Sequence, residues 1–281
     1  MEKIKIYAFA DEASPNIDEQ IESMKKNGLD GLEIRNVDGT NIAKITIDKA
    51  KEVRKKMDDA GLIVWSIGSP IGKIDIEKDD FAAHLDECKH VVELANILGA
   101  QNIRMFSFFM PKDKNPDDYR NEVIDRLGKF IETAKGSGID MCHENEKGIF
   151  GDNAVRCLDI LKTLPDLKGI FDPANFVQCG QDTIKAWEML NPYIKYIHVK
   201  DSLSDNSIVP AGEGEGNFDI IVPDYIKRGG IHFTMEPHLA VFDGLENLEQ
   251  EGNESKLATR YVFESNKEAF DAACDAFKAL I

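Results

Sequence analysis

Short apolar runs alternate along the chain with longer stretches whose apolar positions recur every three or four residues. The runs span residues 4–9, 31–34, 62–67, 102–106, 139–143, 169–172, 195–199 and 232–236. Each is too short for a stable helix and several are rich in Ile, Val or Phe, which predicts eight strands. Their starts lie 26 to 40 residues apart, room for a strand, a crossover helix and two loops. The intervals carry the helical period. Phe81, Leu85, Cys88, Val91, Val92, Ala95 and Leu98 share one face after the acidic pair Asp79 and Asp80. Val123, Ile124, Leu127, Phe130, Ile131 and Ala134 repeat the pattern, with Gly136 and Gly138 as the stop. Asp152 and Asp182 are placed to cap the next helices, and residues 267–280 read as a last amphipathic helix. A polar segment, 239–255, fits neither period and reads as a lid or an interface element.

Eight strand–helix units in 281 residues match the arithmetic of a (β/α)8 barrel. An open doubly wound sheet is the alternative, but no glycine-rich dinucleotide or phosphate-loop motif follows the first strand. No Pro/Gly/Ser-rich linker divides the chain, so one domain over residues 1–281 is expected.

Charge narrows the partners. The 51 acidic against 34 basic side chains give −17, which repels nucleic-acid phosphates and anionic membrane surfaces. No apolar run approaches the roughly 18 residues of a membrane span. Five scattered cysteines form no C-x-x-C pair. A reduced cytoplasmic protein is expected, with a small-molecule partner rather than nucleic acid or membrane; a homo-oligomer is compatible with this.

In such a barrel chemistry gathers at the C-terminal ends of the strands. Strand five ends in Glu144, strand six in Asp172, strand seven in His198 and strand eight in Glu236. Three carboxylates and an imidazole at one rim repel unless some stay protonated or a cation joins them. Three oxygen donors and one nitrogen suit one divalent ion: Mn²⁺ is expected, with Mg²⁺, Co²⁺ and Zn²⁺ as alternatives.

These residues resemble the xylose isomerase-like barrels, among them sugar and sugar-phosphate 3-epimerases, inosose dehydratase and endonuclease IV. The likeness rests on His143-Glu144-Asn145, Phe171-Asp172-Pro173, His198-Val199-Lys200-Asp201, Gly212-Glu213-Gly214 and Met235-Glu236-Pro237. It implies that Glu144, Asp172, His198 and Glu236 hold one metal and that Glu144 and Glu236 form the acid–base pair. Where many epimerases place a substrate-contacting histidine three residues after the strand-six aspartate, this chain has Asn175. Endonuclease IV uses further histidines on strands two, three and six; here Arg35-Asn36, Gly68-Ser69 and Asn175 stand there, and a nuclease is disfavoured.

A metal chelating a keto oxygen and its neighbouring hydroxyl stabilises an enediolate. With two carboxylates this gives epimerisation, with one base isomerisation, and with a leaving hydroxide dehydration. The expected function is therefore an isomerase or epimerase of a small sugar or sugar phosphate. An inosose-type dehydratase and a non-catalytic sugar-binding barrel are the alternatives. Arg104, Asn175, Lys200 and His238 are candidate substrate contacts. Glu33 is a candidate either to hydrogen-bond a sugar hydroxyl or to orient a ligand, and Lys200 and Asp201 are candidates to orient His198, as ligating imidazoles need an orienting partner.

Overall fold

The computed structural model describes residues 3–242, 256–258 and 260–281. Eight parallel strands close into a barrel: β1 (Lys5–Ala8), β2 (Gly31–Ile34), β3 (Ile63–Ile67), β4 (Asn102–Met105), β5 (Asp140–Glu144), β6 (Lys168–Phe171), β7 (Ile194–Val199) and β8 (His232–Met235). They neighbour one another in chain order, and β1 pairs with both β2 and β8 to complete the ring. Helices cross between them: α1 (Ile17–Lys26), α2 (Ile47–Ala60), α3 (Phe81–Leu98), α4 (Arg120–Ala134), α5 (Ala154–Thr163), α6 (Thr183–Leu190), α7 (Phe218–Lys227) and α8 (Asn266–Lys278). A short helix, Pro173–Gln178, precedes α6. The fold is a single (β/α)8 barrel.

Alternation along the strands sorts the side chains. On β7, Ile197 and Val199 point outward into the core shared with the helices, and Tyr196 and His198 face the barrel interior. On β8, Phe233 and Met235 join the outer core. The inner base holds a separate cluster of Tyr7, Trp65, Cys142, Ile170 and Tyr196. Gly31 is required by closeness: a Cβ there would stand 2.1 Å from the Ile63 carbonyl oxygen of β3.

Helix ends follow the capping logic with one correction. Asp80 accepts from Ala82 and Ala83 N–H, and Asp182 from Lys185 N–H, as their positions predict. Before α5 the cap is Asn153, not Asp152: Asn153 Oδ1 accepts from Arg156 N–H at 2.9 Å, and Asp152 pairs with the Arg156 guanidinium. All five cysteines are free thiols. Among the described residues no helix is long and apolar enough to cross a membrane. Residues 243–255 of the polar segment singled out above lie outside the described residues.

Candidate active site

The strand ends deliver four side chains to one point. Glu144 closes β5, Asp172 and Glu236 stand one residue past β6 and β8, and His198 is the penultimate residue of β7. All four are buried, and one ligand atom from each lies within 4.8 Å of the others. His198 Nδ1 is the hub, 3.1 Å from Glu144 Oε1, 3.1 Å from Glu236 Oε2 and 4.0 Å from Asp172 Oδ2. Its other nitrogen, Nε2, is 3.2 Å from Glu33 Oε2.

Each glutamate gives its second oxygen to an arginine. Arg104 Nη1 is 3.2 Å from Glu144 Oε2, and Arg35 Nη1 is 3.2 Å from Glu236 Oε1. Phe9 carries both guanidiniums, at 4.5 Å for Arg35 and 4.8 Å for Arg104. Arg35 is further fixed by Asp11, at 2.9 and 3.1 Å, and by Glu12 at 3.3 Å. Lys200 Nζ lies 2.8 Å from Asp172 Oδ2 and 3.5 Å from Glu236 Oε2.

The protonation balance follows from burial and these partners. Burial pushes Asp172 up to about 7, with Glu144 and Glu236 adding to the rise against Lys200. Burial acts the same way on Glu236, but Lys200 and His198 outweigh it and hold that carboxyl well below its ordinary range. For His198 burial opposes the charged form, yet Glu144 and Glu33 raise it well above the usual imidazole value. The imidazole supplies positive charge that the surrounding oxygens demand.

A divalent cation fits this donor set. Three carboxylates and one imidazole nitrogen converge, and Asp172 Oδ2, although ion-paired with Lys200, accepts no hydrogen bond among the described residues. Glu12, Glu236 and His238 form a second convergent group, but Arg35 already supplies its positive charge.

Arg104, Lys200 and His238 therefore surround the cluster. His238 has φ of +46°, donates its N–H to Glu12 Oε2 at 2.7 Å, and sets its buried Nε2 3.4 Å from Glu12 Oε1 and 3.6 Å from Glu236 Oε1, with no hydrogen-bond partner for that nitrogen among the described residues. Asn175 is tied into the loop: its Nδ2 donates to Asn145 O at 2.9 Å and its N–H to Asp172 Oδ1 at 2.8 Å, which aims that carboxylate.

Two candidates depart, in part or in whole, from expectation. Of the two roles expected of Glu33, contact with a sugar is opposed by its complete burial, because β2 directs it into the barrel interior, while its place against His198 Nε2 agrees with orienting a ligand. Asp201 does not touch His198. Its carboxylate accepts four backbone N–H groups, from Ser202, Gly212, Gly214 and Gly216, and so shapes the glycine-rich loop after β7. A Cβ on Gly214 would stand 2.2 Å from Asp201 Oδ1, which explains the glycine.

Sequence reasoning missed Asp11, Glu12 and Arg35 as site residues. A signal was present: charged residues directly behind an apolar run, Asp11-Glu12 behind β1 and Arg35 behind β2.

The profile of the xylose isomerase-like TIM barrel family matches residues 21–238. A curated relative, the 3-dehydroshikimate dehydratase of Bacillus anthracis, is 21% identical over 230 residues, covering 74% of this chain and 80% of the relative. The solved D-allulose 3-epimerase of Methylomonas sp. superposes with a TM-score of 0.76 at 14% identity, covering 100% of this chain and 99% of that one. The IolI protein, solved with a bound zinc atom, gives 0.76 at 15% identity over 99% and 98% of the two chains. At these identities the likeness to solved structures is one of fold.

Proposed function

The chain belongs to the xylose isomerase-like TIM barrel family, and on that premise we propose that it is a divalent-metal-dependent isomerase or epimerase of a small sugar, free or phosphorylated. The observation that carries this reading is the placement of Glu144 and Glu236 on the same imidazole nitrogen, each 3.1 Å from His198 Nδ1. Glu144, Asp172, His198 and Glu236 would hold the ion. When bound, a divalent cation supplies Lewis-acid polarisation of a substrate carbonyl and neutralises developing charge beside it.

The chain's own residues do the rest. Glu144 and Glu236 are the proton-moving pair, each oriented by its arginine. One takes the proton from the carbon next to the carbonyl, and the other returns a proton to the opposite face, which inverts that centre. If a single glutamate returns the proton to the neighbouring carbon instead, the product is the isomer. Arg104, Asn175, Lys200 and His238 are proposed as substrate contacts. Burial of the whole cluster keeps water from competing for the proton.

A second reading, dehydration, draws on the relationship to a 3-dehydroshikimate dehydratase. Lys200, beside both Asp172 and Glu236, is placed to protonate a departing hydroxyl after proton removal.

Incubating metal-loaded protein with ketoses in deuterated water separates the outcomes. Epimerisation or isomerisation gives deuterium at the carbon next to the carbonyl, and dehydration gives a product lighter by one water. Glu144→Gln and Glu236→Gln should each lower exchange by about 10²–10⁴-fold; wild-type rates in both would refute the proton-transfer roles. Ketose binding without exchange in the wild type would instead mark a sugar-binding barrel.

A further inference from the structure

Beneath the ligand cluster lies a hydrogen-bonded group that the proton-transfer scheme does not use. Glu33, fully enclosed, sets Oε2 3.2 Å from His198 Nε2, while its Oε1 accepts from Tyr196 Oη at 2.8 Å and Ser66 Oγ at 3.2 Å. The two hydroxyls are 3.1 Å apart. A buried carboxylate without partners would be costly, and three donors here satisfy it.

An irregularity in the sheet brings one of those donors in. The β2–β3 register shifts after Leu32, so that Leu32 lies opposite Val64 but Glu33 lies opposite Ser66, leaving Trp65 as the extra residue. In a regular strand, Ser66 would point away from the face that Trp65 occupies. With the bulge both face the barrel interior: Trp65 stacks on Tyr7, and Ser66 reaches Glu33.

We propose that Glu33 is a positioning residue for the metal centre. By accepting from His198 Nε2 it holds the ring so that Nδ1 is the nitrogen turned to Glu144, Asp172 and Glu236 and the one left to ligate a bound ion, and Tyr196 and Ser66 hold Glu33 in turn. The opposite tautomer would set the bare Nε2 lone pair against a carboxylate oxygen and put a proton where a ligand lone pair is needed. This role rests on the metal-centre reading above.

Chelator-stripped protein titrated with Mn²⁺ by calorimetry tests it without any turnover. Wild type should bind one ion, and Glu33→Gln should bind it about 10–100-fold more weakly. Tyr196→Phe, which removes one donor and keeps the charge, should weaken binding by about fivefold and covers the case in which Glu33→Gln does not fold. In ¹⁵N-histidine-labelled, Zn²⁺-loaded protein, the wild-type His198 resonances should report a protonated Nε2 and a ligating Nδ1. With the ion on Nδ1 the proton stays on Nε2 in either protein, so the readout is that proton. Glu33→Gln should shift the Nε2 resonance and speed exchange of its proton with water, which a merely structural contact would leave in place. Wild type that takes the ion with variants that match its affinity and keep the same Nε2 resonance and proton exchange overturns the role of Glu33 alone. A wild type that takes no ion overturns the metal centre and this role with it.

Discussion

At the base of the barrel the interior is filled by stacked rings: Trp65 lies 4.7 Å from Tyr7 and 4.1 Å from His232, centroid to centroid. At the mouth the same interior is filled by Glu144, Asp172, His198, Glu236, Arg104 and Lys200, joined by ion pairs. Trp65 and Tyr7 are as thoroughly buried as the charged residues above them. The two fillings have different energetics. Stacked rings gain dispersion and shed little hydration, whereas the charged layer must offset the desolvation of every ion it contains. The base therefore reads as the stabilising end of the barrel and the mouth as the end where stability gives way to chemistry.

The sharpest way to break this contrast is a pair of substitutions with opposite expected signs, measured by urea unfolding with chelator present. Trp65→Ala should cost about 3–5 kcal/mol, the usual loss for a large buried ring. Asp172→Asn should gain about 1–2 kcal/mol at pH 8, because burial lifts the Asp172 carboxyl from its usual value of about 4 to about 7, so the cost of its charge builds as pH rises between the two and is complete by pH 8. Equal losses in both would remove the distinction between the ends.

A smaller effect sharpens the same contrast through pH. His232, at the base, is pushed down to about 4, first by burial and then by Lys195 and Lys5. Its folded value lies below the free value, so the unfolded chain takes up the proton first. The stabilising contribution is whole above about pH 6.5 and is lost as pH falls toward 4. After allowance for its partial exposure this amounts to about 1–2 kcal/mol. His232→Phe should flatten that part of the stability profile; an unchanged acid limb would mean the base does not carry it.

Much of the barrel was legible because each strand is a compact apolar run. The stretch 31–34 coincides with β2, and the others differ from their strands by a residue or so at either end. The convergence of Glu144, Asp172, His198 and Glu236 was legible too, since strand ends in a closed parallel barrel share one rim. What escaped depends on events a one-dimensional period does not encode. The bulge at Trp65 gives β3 two consecutive inward residues, so the depth of Glu33 and its bond to Ser66 were hidden. Arg35 reaches Asp11 and Glu12 because a 3-10 turn, Ala10–Glu12, directly after β1 brings both carboxylates beside the end of β2. Asp201 looked like a companion of His198 by sequence distance, but a loop of alternating glycines returns 11 to 15 residues later to claim its carboxylate.

The central claim is that four strand-end side chains hold one divalent ion. Elemental analysis of the purified protein, beside an Asp172→Ala/His198→Ala double variant with intact far-ultraviolet circular dichroism, tests it most directly. The account predicts about one divalent ion per chain in the wild type and none in the variant. A wild type without metal that also gains no thermal stability from added Mn²⁺, Mg²⁺, Co²⁺ or Zn²⁺ would contradict it.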